Sequence, residues 1–213
     1  NRMSKVKERK IRSDKRKDVK PTVELSLYDC VARISYITNT PMKDVGEIFC
    51  THGLYSKKVI DYLSKKFRRS YKFKDTLHMG NRELMSERVR KHSKSTTRIT
   101  MRFRQETYDH LADLAYALDT TVSTATAILL DAAVRNTDIV NEYVTRFVEE
   151  TLDDNRKDQL KKVLTYIRKE NPYETNEITL AQLISYILDG FKGHSKHIKQ
   201  TIESWLDNVT ERD

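Results

Sequence analysis

The sequence predicts a mainly α-helical protein with short β-strands that form a ribbon, and three observations carry that reading. Glycine and proline are scarce, at 5 and 3 of 213 residues. One segment alternates with the two-residue period of a strand, and apolar residues elsewhere recur at helical spacing. The alternating segment is 98–104, with Ile99, Met101 and Phe103 on one face and Arg98, Thr100, Arg102 and Arg104 on the other. The period then changes. Tyr108, Leu111, Leu114, Ala115 and Leu118 form one helical stripe, Asp119-Thr120-Thr121 turns the chain, and Val122, Ala125, Ile128, Leu129 and Ala132 form a second. Thr121 or Ser123 is the natural N-cap of that second helix.

The other elements follow in chain order. Residues 1–20 hold ten basic and three acidic side chains and almost no apolar ones, which predicts a flexible basic arm. Beyond Pro21, Val23, Leu25 and Leu27 fall on one face and Glu24 and Ser26 on the other, as in a short strand. Helical spacing follows at Val31, Ile34 and Ile37, breaks at Thr40-Pro41, resumes at Val45, Ile48 and Phe49, and breaks again at Thr51-His52-Gly53. Ser56 then caps a basic helix reaching Phe67. Residues 69–97 read as a basic connector. Phe67, Tyr71 and Phe73 interleave with basic residues there, which suits single-stranded nucleic acid or core packing equally. Residues 137–213 read as an acidic helical assembly domain, with helices over 139–152, 156–168, 179–191 and 195–209.

Charge is segregated along the chain. Residues 1–104 hold 28 Lys and Arg against 11 Asp and Glu, whereas 105–213 hold 12 against 20. A solvated surface needs no such division, but a protein that neutralises phosphates with one part and assembles through another does. No apolar run approaches the roughly 20 residues of a membrane span, so a cytoplasmic, nucleoid- or plasmid-associated protein is expected. Cys30 and Cys50 lie in helical apolar patterns and read as buried thiols. His194 and His197 lack a third ligand for a metal, Glu149-Glu150 and Asp153-Asp154 lack a catalytic partner, and no glycine-rich phosphate loop is present. No enzymatic activity, metal or cofactor is expected.

The run Ile99-Thr100-Met101-Arg102-Phe103, then Glu106-Thr107-Tyr108-Asp109-His110-Leu111 and Leu114-Ala115, then Val122-Ser123, resembles the ribbon-helix-helix family of bacterial, plasmid and phage DNA-binding proteins. The resemblance covers about a fifth of the chain, residues 98–136. It implies a two-stranded antiparallel ribbon laid into the major groove of double-stranded DNA, built by a homodimer or higher homo-oligomer because a lone strand has no partner. It further implies that Arg98, Thr100 and Arg102 read bases, and that Arg104 and the helix start at Thr121 and Ser123 hold backbone phosphate. Lys57 and Lys58, on the basic helix, are candidates for further phosphate contacts.

A second copy is suggested upstream. With a constant offset of 80 over 28–54, Tyr28, Asp29, Ala32, Tyr36, Thr40 and Ile48 each meet an identical residue. Val23, Leu25 and Leu27 fall on Ile99, Met101 and Phe103 if four residues are missing between strand and helix. Residues 21–68 would then be a degenerate first copy followed by the basic helix. Three readings stand: this copy pairs with the second inside one chain, it reads cytosine amino groups through Glu24, or it is no copy. A helix-turn-helix over 43–67 is the competing fold. The expected function is a sequence-specific DNA-binding repressor of a bacterium, plasmid or phage. The alternative is a DNA-organising accessory protein for plasmid partition or conjugative transfer, its C-terminal helices recruiting a protein partner.

Overall fold

A computed structural model describes residues 16–86, 95–147, 152–169 and 171–173. Among them are strands β1 (Lys17–Val19) and β2 (Thr22–Glu24), helices α1 (Leu25–Thr38), α2 (Met42–Tyr55) and α3 (Lys57–Ser64), and strands β3 (Tyr71–Phe73) and β4 (Thr76–His78). Strands β5 (Thr96–Arg98) and β6 (Met101–Phe103) follow, then helices α4 (Gln105–Leu118), α5 (Val122–Val134), α6 (Thr137–Phe147) and α7 (Asp154–Arg168). The chain is mainly helical with short antiparallel strand pairs. The helices expected over 179–191 and 195–209, His194 and His197, and most of the N-terminal arm lie outside the described residues.

β1 pairs with β6, Lys17 opposite Phe103, and β2 pairs with β5, Thr22 opposite Arg98, in one continuous antiparallel register. The strand break at Lys20 and Pro21 follows from the missing proline N–H. The Pro21 carbonyl still accepts from the Ile99 N–H at 3.2 Å. Val19, Pro21, Val23, Ile99, Met101 and Phe103 point inward and are buried, so six side chains from two distant segments share one core face. Two sequence expectations are corrected here. Residues 17–19 belong to a strand rather than to a flexible arm, because Val19 finds apolar cover. Leu25 and Leu27 lie in α1, where Leu27, Cys30, Val31, Ile34 and Ile37 form the buried stripe. The alternation beyond Val23 is therefore the start of a helical period.

The offset of 80 runs through the whole strand-helix-helix unit without a gap. α1 and α4 bear that relation at both ends, as do the starts of α2 and α5. Asn39 and Asp119, also 80 apart, close α1 and α4 in the left-handed conformation at φ 50° and 55°. Asn and Asp tolerate that conformation better than other non-glycine residues. The amides of Thr40 and Thr120 then reach the carbonyls of Ser35 and Ala115 at 3.1 and 3.0 Å. The correspondence continues to α3 and α6. The Ser56 hydroxyl accepts from the Val59 N–H at 3.4 Å, and the Asn136 side chain accepts from the Ile139 N–H at 3.1 Å.

Counterparts meet at three levels. Lys20 and Thr100 fall opposite each other at the middle of the ribbon. Gly53 and Ala133 meet where α2 and α5 pack, and Lys58 pairs with Asp138 between α3 and α6. These pairs trace a pseudo-two-fold axis from the ribbon through the helix crossing to the far end. The expected break at Thr51-His52-Gly53 is absent. α2 continues to Tyr55, and its glycine makes room for α5.

The outer faces of the two halves are covered differently. The β3–β4 hairpin packs on α4, and α7 packs on α1. Counterpart tyrosines nonetheless receive the same treatment: the Arg69 guanidinium lies 4.4 Å from the Tyr116 ring centroid, and that of Arg156 lies 5.9 Å from Tyr36. Phe67, Tyr71 and Phe73 are buried, which settles their role as core packing. α6 and α7 contribute Val140, Tyr143, Leu160, Val163 and Ile167 to the same buried cluster as the ribbon, so the described part of 137–213 is continuous with the rest of the core.

Candidate nucleic-acid interface

The outward face of the ribbon is polar and unequal between its strands. One strand presents Arg98, Thr100, Arg102 and Arg104, all exposed. At the offset of 80 the other presents Asp18, Lys20, Thr22 and Glu24. Arg98 stands opposite Thr22, and Arg102 stands opposite Asp18. The Arg102 guanidinium meets the Asp18 carboxylate at 3.0 Å, with both side chains about half exposed (61% and 48%). An exposed pair of this kind contributes only about 0–1 kcal/mol to folding.

Ion pairs also shape the ribbon's flank. The Arg16 guanidinium donates to Glu47 of α2 at 2.8 Å. Burial raises the Glu47 carboxyl above its ordinary range, against the opposing pull of Arg16 and, more weakly, of Arg104. Lys17 places its ammonium 5.9 Å from the Tyr108 ring centroid. Both N-terminal helix ends of the α2–α5 pair sit beneath the strands. Gly46 of α2 lies so close to Met101 that a Cβ there would stand 2.4 Å from its sulfur. On α5, the Ser123 hydroxyl donates to the Lys20 carbonyl at 3.0 Å.

The expected site residues therefore divide. Arg98, Thr100 and Arg102 share the outward face as the alternation predicts. Arg104 stands just before α4, at its N-cap position. Thr121 caps α5 by accepting from the Thr124 N–H at 3.1 Å, and Ser123 is tied to the ribbon backbone rather than pointing freely outward. Lys57 and Lys58 stand apart from these. They lie on α3, which packs on α2 and α5, and their ammonium groups pair with Asp61 and Asp138.

Sequence reasoning missed Asp18, Lys20 and Thr22. The signal was present: extending the offset of 80 without a gap lays Val19 on Ile99 and Val23 on Phe103. Among the described residues no group of His, Cys, Asp and Glu is placed to hold a metal ion, and no single helix is long and apolar enough to cross a membrane. Comparison with protein-family models, curated proteins and solved structures finds no match.

Proposed function

We propose that this chain is a sequence-specific double-stranded DNA-binding protein of the ribbon-helix-helix kind, acting as a transcriptional repressor in a bacterium, plasmid or phage. The observation that carries the reading is the ribbon itself. Two strands with a buried inner face present Arg98, Thr100, Arg102 and Lys20 on one solvent-facing surface, and two helix starts lie directly beneath. A two-stranded ribbon fits the major groove, where arginine donates two hydrogen bonds to guanine and threonine contacts thymine methyl or a polar base edge. Strand, helix and helix occur twice in the required order, which supports the family reading. The helix-turn-helix alternative over 43–67 draws less support, because α2 and α3 are separated by Ser56 alone and the α3 lysines are engaged by carboxylates.

One chain supplies both strands of this ribbon, so a single chain is a complete reading unit and further assembly would serve to place several units along DNA. Fluorescence anisotropy with labelled duplexes of the source element's own DNA, repeated at several salt concentrations against single strands and scrambled duplexes, tests the proposal. Tight binding to particular duplexes, weakening linearly in log salt, is the expected result. Equal affinity for every duplex, or a preference for single strands, would remove it.

A further inference from the structure

The two halves of the outward face are chemically different, although the backbone beneath them is related by a pseudo-two-fold axis. On one side of the Lys20–Thr100 centre stand Arg98 and Thr22. On the other stand Arg102 and Asp18, held together at 3.0 Å. Resting on the DNA-binding reading above, we infer that the chain recognises a non-palindromic site, and that Asp18 is the residue that sets specificity in one half of it.

The chemistry runs as follows. A symmetric ribbon presents the same side chains to both half-sites and therefore selects an inverted repeat. Here the half facing Arg98 and Thr22 meets a guanidinium whose directly opposite neighbour is a hydroxyl, the Glu24 carboxylate standing one outward position further along the strand. That guanidinium is suited to guanine O6 and N7 with a neighbouring thymine methyl or polar edge. The half facing Arg102 and Asp18 meets a coupled donor and acceptor. The carboxylate fixes the guanidinium fork, and its remaining lone pairs accept from an exocyclic amine, cytosine N4 or adenine N6.

A carboxylate this close to DNA repels phosphate, so it lowers affinity for every duplex that offers it no amine. Asp18 therefore discriminates by penalty as well as by contact. The surrounding charge agrees with a local role. Lys20 lies at the centre and Arg104 and Arg16 near the same end as Asp18, so that end stays basic around its acceptor, whereas Glu24 stands beyond Thr22 at the other end.

Selection from a library of random duplexes, followed by anisotropy on single-base variants of the selected site, tests the inference with the full chain, Asp18→Asn and Arg98→Ala. Both positions are exposed, and circular dichroism verifies that the variants fold. The wild-type site should differ from its own reverse complement. Asp18→Asn should lose roughly 10-fold discrimination at a base pair in one half, while binding scrambled duplexes more tightly than the wild type. Arg98→Ala should lose discrimination in the other half. A palindromic wild-type site, or an Asp18→Asn variant that binds all duplexes more tightly with unchanged preference, overturns the inference while leaving DNA binding standing. A wild-type chain that enriches no duplex removes the DNA-binding reading and this inference with it.

Discussion

Gly53 and Ala133, counterparts 80 residues apart, face each other where α2 packs on α5: a Cβ at Gly53 would lie 3.1 Å from that of Ala133 and 3.0 Å from a Leu129 methyl. The two halves of the fold are thus joined through their smallest side chains. Replacing Gly53 by Ala brings a methyl group to the limit of contact, offset by the better helix propensity of alanine, about 1 kcal/mol. Gly53→Val adds bulk that two fully buried neighbours cannot yield to. It should destabilise the chain by about 1–3 kcal/mol or more, read from the midpoint of urea unfolding, with Gly53→Ala close to wild type.

Met101 tests the opposite end of the axis. It is fully buried beneath the ribbon, its sulfur filling the space that the missing side chain of Gly46 leaves. Met101→Lys would place an unpaired charge there, at a cost of several kcal/mol or a rearrangement of the strand pair. The melting temperature should fall sharply, and unchanged melting would mean that Met101 does not face the core.

The ribbon strand at 98–104 and the two helices after it were legible because their apolar residues change period at one point, from Ile99-Met101-Phe103 to the spacing that starts at Tyr108. The first copy was half legible. Tyr28, Asp29 and Tyr36 betray the offset, but Pro21 and Lys20 weaken the strand signal, and Leu25 and Leu27 extend its alternation by chance into a helix. Gly53 misled for a different reason: glycine ends helices by local preference, and here a tertiary crossing requires it inside one. The Asp18–Arg102 pair depends on register between segments more than 80 residues apart, which no local pattern encodes.

The cysteines should be chemically silent. Cys30 is 2% exposed and Cys50 fully buried, and burial pushes both thiols far above their usual range, so almost no thiolate forms near neutrality. Iodoacetamide at pH 8 should modify neither in the folded chain over a time in which denaturant gives complete reaction at both. Rapid modification of the native protein would place at least one thiol at the surface.

Alkaline pH should destabilise the fold. Burial, with a smaller contribution from Asp113, raises the Tyr71 phenol from 10.0 to about 12, and burial raises Tyr166 and Tyr173 further. Below pH 10 these groups are protonated in both folded and unfolded chains and favour neither. Between pH 10 and about 12 the unfolded chain ionises while the folded one does not, so stability present below pH 10 is lost as pH rises. Thermal melts at pH 8, 10 and 11 should show a flat region and then a decline. A melting temperature that holds through pH 11 would mean that these rings ionise freely.

The last prediction separates reading by the ribbon from attraction by charge alone. Arg98→Ala and Lys57→Ala each remove one positive charge from an exposed position. Arg98 stands on the outward face opposite Thr22, whereas Lys57 lies on α3 beside Asp61. If the ribbon enters the major groove, Arg98→Ala removes a bidentate contact and should cost about 1–3 kcal/mol at the preferred duplex. Binding to scrambled duplexes should hardly change, because phosphate contacts elsewhere carry it. Lys57→Ala should leave both affinities near wild type, since its charge is already partly spent on a carboxylate. Measured side by side at one salt concentration, equal small losses for both variants on both duplexes would mean that the protein senses net charge and reads nothing with the ribbon. A loss confined to Lys57→Ala would transfer the contact to α3 and bring the helix-turn-helix reading into first place.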